Sequence, residues 1–106
     1  MKKSTYIIQL NNGPDVKNKA VNGLTNKFFG VHFGDGAYCV THLNTGLLAG
    51  RFKKQKDARE FAEILDNEDF PVSWDTANRE VLEGNSQKTL EIRDKIKMKE
   101  ETKRRA

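Results

Sequence analysis

The sequence predicts an α+β fold: a small antiparallel sheet of three to four strands, one helix packed on it, and C-terminal helices. Two observations carry this. Between Phe28 and Phe52, three short runs rich in aromatic and β-branched residues are separated by glycine-containing turns. Directly after them, Ala58, Phe61, Ala62 and Leu65 recur at i, i+3, i+4 and i+7, a single apolar stripe on a helix from about Lys54 to Leu65.

In chain order, Ser4–Leu10 is β-branched and aromatic and reads as a strand that Asn11-Asn12-Gly13-Pro14 ends. Pro14 and Asp15 suit the first turn of a short helix carrying Val16, Ala20, Val21 and Leu24, although Asn18, Asn22 and Gly23 suit an irregular connection as well. The central strands are Phe28–Phe33, Ala37–Leu43 and Leu47–Phe52, joined at Gly34-Asp35-Gly36 and Asn44-Thr45-Gly46. Three-residue loops would pair Phe33 with Ala37 and Leu43 with Leu47. That register places His32, Tyr38, Val40, His42 and Phe52 on one face, and Phe29, Val31, Cys39 and Arg51 on the other.

Pro71 makes Phe70–Trp74 an edge strand or an extended tether, anchored by Phe70, Val72 and Trp74. Asp75 or Thr76 caps a short helix with Ala77, Val81 and Leu82 turned inward and Gly84 as a left-handed stop. Ser86 caps a last helix to about Glu101, whose apolar residues Leu90, Ile92, Ile96 and Met98 make a ragged stripe. The chain divides into an α+β domain over 1–84 and a charged helix with a basic tail over 85–106. Residues 100–106 have no apolar anchor and are expected to be mobile.

Both sheet faces are largely apolar, and one helix covers only one of them. The second face calls for the chain's own remaining segments, a second copy or another ligand. A homodimer is the expectation drawn from this. The lone Cys39 forms no intramolecular disulfide, no run is long enough to span a bilayer and no signal peptide is visible, so a cytoplasmic location is expected.

Residues 1–87 hold 11 basic and 11 acidic side chains, whereas 88–106 hold 8 and 4, so the formal charge of +4 lies wholly in the tail. Within the central helix the charge order is inverted. Arg51, Lys53, Lys54 and Lys56 lead in, and Asp57, Glu60, Glu63, Asp66, Glu68 and Asp69 follow. The helix macrodipole prefers the opposite order, at about 0.3–1 kcal/mol per charge. Cations beside free backbone N–H groups make a phosphate site; the plainer alternative is a solvated turn whose Lys56 and Arg59 pair with Glu60 and Glu63. Tyr38, His32 and His42 interleave rings suited to base stacking.

His32, Cys39 and His42 share no metal-ligand spacing, and the expected register turns Cys39 away from both histidines, so no metal or other cofactor is expected. No nucleophile-elbow, Walker or zinc-protease pattern occurs, and the chain reads as a non-enzyme.

Phe28-Phe29-Gly30-Val31, Tyr38-Cys39-Val40-Thr41 and Gly50-Arg51-Phe52, leading to Asp57-Ala58-Arg59-Glu60-Phe61-Ala62, resemble the three-stranded-sheet-plus-helix DNA-binding domains of integrase N-terminal arms and plant ethylene-response factors. The resemblance covers residues 28–65 and implies DNA contact through the sheet face. The functional expectation is a small accessory protein binding nucleic acid, DNA ahead of RNA, through Arg51, Lys53, Lys54, Lys56, Tyr38, His42, His32 and the tail. A protein–protein module, an inhibitor or adaptor of the kind mobile elements encode, is the alternative.

Overall fold

The computed structural model describes residues 1–12 and 15–105, with side chains described over 1–10 and 17–99. It is α+β, with a five-stranded antiparallel sheet in the order β1-β2-β3-β4-β5: β1 (Lys2–Asn12), β2 (Asp15–Thr25), β3 (Phe29–Gly34), β4 (Ala37–His42) and β5 (Leu47–Phe52). The helices are α1 (Gln55–Asn67), α2 (Glu80–Gly84) and α3 (Ser86–Arg105). No helix among the described residues is long and apolar enough to cross a membrane.

The fifth strand corrects the expected helix or loop after Pro14. Residues 15–25 are poor strand formers, but β1 is a strong one and needs a partner for its backbone. The two run as one hairpin through eleven paired positions, from Lys2 with Thr25 to Asn12 with Asp15. β2 then meets β3 only through Leu24 with Val31 and Thr25 with Gly30. Beyond these two pairs the hairpin leaves the sheet plane.

The β3–β4 turn is one residue shorter than expected. Phe29 pairs with His42 and Gly34 with Ala37, leaving Asp35 and Gly36, both at positive φ (53° and 78°), as a two-residue turn. A one-residue change exchanges the faces of one strand relative to the next. His32 therefore stands beside Cys39, not turned away from it, and Phe29 and Val31 share a face with Tyr38, Val40 and His42. The β4–β5 pairs Tyr38–Phe52 and Cys39–Arg51 follow the expected register, which shifts between Val40 and Thr41.

On the face of Phe29, Val31, Val40 and Phe52 lie Ala58, Phe61, Ala62 and Leu65 of α1, all fully buried. Phe52 and Phe61 rings meet at 5.0 Å. Val81 of α2 and Ile96 of α3 join this same core. Asn26 ties the start of β3 to the end of α1: its Nδ2 donates to the Ala62 carbonyl (3.0 Å) and its Oδ1 accepts from Phe29 N–H (2.8 Å).

The opposite face is covered by the chain itself. The Tyr6 ring lies directly over Gly30, where a Cβ would come within 2.5 Å of it, and the Tyr6 hydroxyl is 3.3 Å from His32 Nδ1. Further along, Gln9 N–H donates to the Gly46 carbonyl at 2.8 Å, fixing β1 to the β4–β5 turn. The β1–β2 hairpin thus crosses the second face, so the chain's own N-terminal segment covers part of the surface from which a homodimer was expected, and Leu48 stays half exposed there.

Residues 70–74 are an extended tether without ladder partners. Asn85, 1% exposed, supplies them instead: its Oδ1 accepts from Val72 N–H (2.9 Å) and its Nδ2 donates to the Val72 carbonyl (2.8 Å). Trp74 is buried and Phe70 packs on the core, but the Val72 side chain is exposed and is not an anchor. Ala77 is also exposed, and Gly84 is not left-handed; α2 ends at Asn85 with φ −103°. The expected mobility of residues 100–106 concerns side chains outside the described residues; the α3 backbone extends to Arg105.

Candidate nucleic-acid interface

α1 begins without a cap. Lys54 is its extended N-cap residue (φ −118°, ψ 139°), a lysine offers no acceptor, and no side-chain cap bond forms. The apolar stripe still fixes where the helix lies, because four buried residues outweigh a missing cap. Consequently the first turn opens to solvent with Lys53, Lys54, Gln55 and Lys56 all exposed. Its only acidic residue is Asp57 and its last turn has no basic one, the inverted charge order read from the sequence.

α3 returns along α1. Thr89 and Ile96 are buried and Ile92 half-buried, so the stripe Thr89–Ile92–Ile96 faces the core and Lys99 continues it. Lys99 Nζ stands 3.5 Å from Glu60 Oε1. This pair is largely exposed and adds little stability. Between the two helices opens a groove of about 680 Å³, lined by Lys54, Lys56, Arg59 and Lys99 and by Asp57, Glu60 and Glu63. Asp57 Oδ2 is buried there without a hydrogen-bond partner. The lining thus sets four cations, Lys54, Lys56, Arg59 and Lys99, beside the three carboxylates. Beside the groove, Lys97 Nζ lies 5.6 Å from the Phe52 ring centre.

The structure separates the expected site residues. Lys54 and Lys56 line the groove, with Lys53 exposed just before them. Arg51 belongs to the face under the N-terminal hairpin; its Nη2 donates to the Asp35 carbonyl at 3.2 Å. His32 is on that face as well, half-buried under Tyr6, and burial pushes its pKa down, helped by Lys19 and opposed by Asp35. His42 is fully buried between Phe29 and Trp74 (centroids 5.6 and 5.3 Å), so a base has no surface of it to stack on.

The role of His42 is in the fold. Its Nε2 is 2.7 Å from the Trp74 carbonyl, which can only accept, so Nε2 carries the proton and Nδ1 accepts from Thr45 Oγ1 at 2.9 Å. Burial lowers its pKa, outweighing the opposing bond to Trp74. Tyr38 is half-buried on the helix-covered face.

From sequence, Arg59 stands out only as a partner for Glu63 and Lys99 not at all, yet both line the groove. The recurrence of Lys99 on the stripe of Ile92 and Ile96 is the pattern that would have placed it.

Under the hairpin, a cavity of about 230 Å³ is lined by Ile8, Gln9, His32, Cys39, Leu48 and Arg51 among others. Burial raises the Cys39 thiol pKa despite nearby Arg51, which disfavours the thiolate. Among the described residues no group of three histidine, cysteine or carboxylate side chains is placed to hold a metal ion. The resemblance implied DNA contact through this face, which Tyr6 and Ile8 occupy. Comparisons with protein-family models, curated proteins and solved structures returned no significant match.

Proposed function

We propose that this chain is a small non-catalytic accessory protein that binds nucleic acid, DNA ahead of RNA, through phosphate contacts along the cationic rim between α1 and α3. One observation carries the reading. Two basic segments far apart in sequence line one groove: Lys54, Lys56 and Arg59 at the start of α1, and Lys99 of α3. Free N–H groups at an uncapped helix start add to the field of these cations. Base readout by the sheet is not part of this proposal, because its two faces carry the helices and the hairpin.

The test is fluorescence anisotropy of a labelled DNA oligonucleotide titrated with wild type and with a Lys53→Gln, Lys54→Gln, Lys56→Gln variant. The variant is expected to lose affinity for every sequence and to show a salt slope shallower by up to about 0.7–0.9 per lost contact. Equal binding by both proteins would refute the site.

A protein-partner reading draws on the exposed apolar side chains Ile7 and Leu48, each about half exposed. Those residues lie outside the basic groove. A partner on them would bind with little dependence on salt, which separates the two readings.

A further inference from the structure

Phe33 is the most exposed aromatic side chain among the large hydrophobics of the described residues, at 63%. It is not an isolated surface ring. It pairs in register with Tyr38, their centroids 5.0 Å apart at 60°, and Tyr38 in turn pairs with Phe52. The three rings form one row across β3, β4 and β5 on the helix-covered face. Coverage declines along that row. Phe52 is sealed under Phe61 and Lys97, Tyr38 is half-buried, and Phe33 is open.

The reason lies in the topology. The last β2–β3 pair involves Val31, so β3 is an edge strand by Phe33, and neither helix reaches that far along the row. At the other end of the row, Lys53 follows Phe52 and leads to the lysines at the start of α1. Two strand spacings, roughly 10 Å, separate Phe33 from Phe52, and the lysines lie beyond it.

We infer that the Phe33–Tyr38 pair is a stacking platform for an unpaired base, and that the occupant of this surface is a single strand of nucleic acid. Charge and shape complementarity select this occupant. An exposed aromatic ring, with the lysines at the start of α1 beyond the other end of its row, offers a π surface to a base and a cationic path to phosphates further along the same strand. A duplex keeps its bases stacked on one another, so it offers phosphates and groove edges but no base face to such a ring. The inference rests on the nucleic-acid reading above and specifies the form of nucleic acid.

The experiment uses the full chain, labelled oligo(dT) of about 15 nucleotides, a length at the upper end of single-strand site sizes, and its duplex with oligo(dA). Wild type is expected to bind oligo(dT) more tightly than the duplex. Phe33→Ala should weaken oligo(dT) binding about 5- to 150-fold, the range that loss of one aromatic–base stack spans, while leaving duplex binding and the salt slope unchanged. Because Phe33 is mostly exposed, the variant should melt with the wild type.

Phe33→Trp should restore affinity, and its added indole emission should be quenched by oligo(dT); Trp74, buried, contributes a constant background. Undiminished oligo(dT) binding by Phe33→Ala, with the lysine variant impaired, overturns the platform and leaves the phosphate reading standing. A wild type that binds neither oligonucleotide defeats both. Loss of a dimer in Phe33→Ala with DNA binding intact assigns the ring to a contact between copies and also overturns the platform.

Discussion

Gly30→Ala tests how the N-terminal hairpin is held on the sheet. An alanine Cβ there would lie 2.5, 2.7 and 2.9 Å from Tyr6 Cζ, Cε1 and Cε2. These are ring atoms, not the end of a flexible chain, and the ring is further held by its hydroxyl at His32. Restoring ordinary contact requires the ring to retreat by about 1 Å, drawing β1 away from its 2.8 Å bond to Gly46. Overpacking of this kind costs about 1–3 kcal/mol. Alanine recovers about 0.5–1 kcal/mol over glycine within a strand, and Gly30 is not at positive φ. The net expectation is a loss of about 0–2.5 kcal/mol, centred near 1.

The assay is guanidinium unfolding followed by the single tryptophan, run as a double-mutant cycle with Tyr6→Ala. Without the ring, Gly30→Ala should be neutral or stabilising by up to about 1 kcal/mol. The coupling between the two sites should therefore reach about 1–3 kcal/mol. The same effect in both backgrounds, a coupling within about 0.5 kcal/mol of zero, would refute a ring seated on Gly30.

Asn85→Ala should cost about 1–3 kcal/mol in denaturant unfolding, because both backbone groups of Val72 lose their partner. Asn85→Asp should not rescue it fully, since a carboxylate cannot donate to the Val72 carbonyl. His32 and His42 both have folded pKa values pushed below the ordinary 6.5, so the folded chain binds fewer protons than the unfolded one. Stability should be highest above about pH 6.5 and fall as pH drops through the window beneath it; melting curves should show a shallower acid slope for His42→Gln than for wild type. Replacing Lys53, Lys54 and Lys56 with glutamine should leave the melting temperature equal or slightly higher, by a few tenths of a kcal/mol in stability, as these charges oppose their own helix dipole.

The central unit was legible because its signals are local. The α1 stripe identified four side chains that are fully buried, and the glycine turns identified β3, β4 and β5. β2 was not legible. Lys17, Asn18, Lys19 and Ala20 are exposed, so that half of the hairpin shows no alternation of apolar and polar residues, and only its pairing with β1 makes it a strand.

Loop length hid the faces. Asp35 takes positive φ beside Gly36, so Gly34 is left to pair with Ala37. That single residue decides whether His32 stands beside Cys39 or opposite it. The site divides in the same way. The lysines at the start of α1 stand out in sequence by their inverted charge order. Their meeting with Lys99 is a tertiary fact, and Phe33 looks like any core aromatic until the extent of β2 is known.

If the lysines of the groove hold phosphates, wild-type binding must weaken as salt rises. Anisotropy titrations of labelled oligo(dT) across about 50–200 mM salt should give a linear fall of log affinity against log salt, with a slope near −2 to −3 if three to four rim cations each release about 0.7 counterions. A wild type that binds no oligonucleotide at the lowest salt, or binds with a slope near zero, would contradict it.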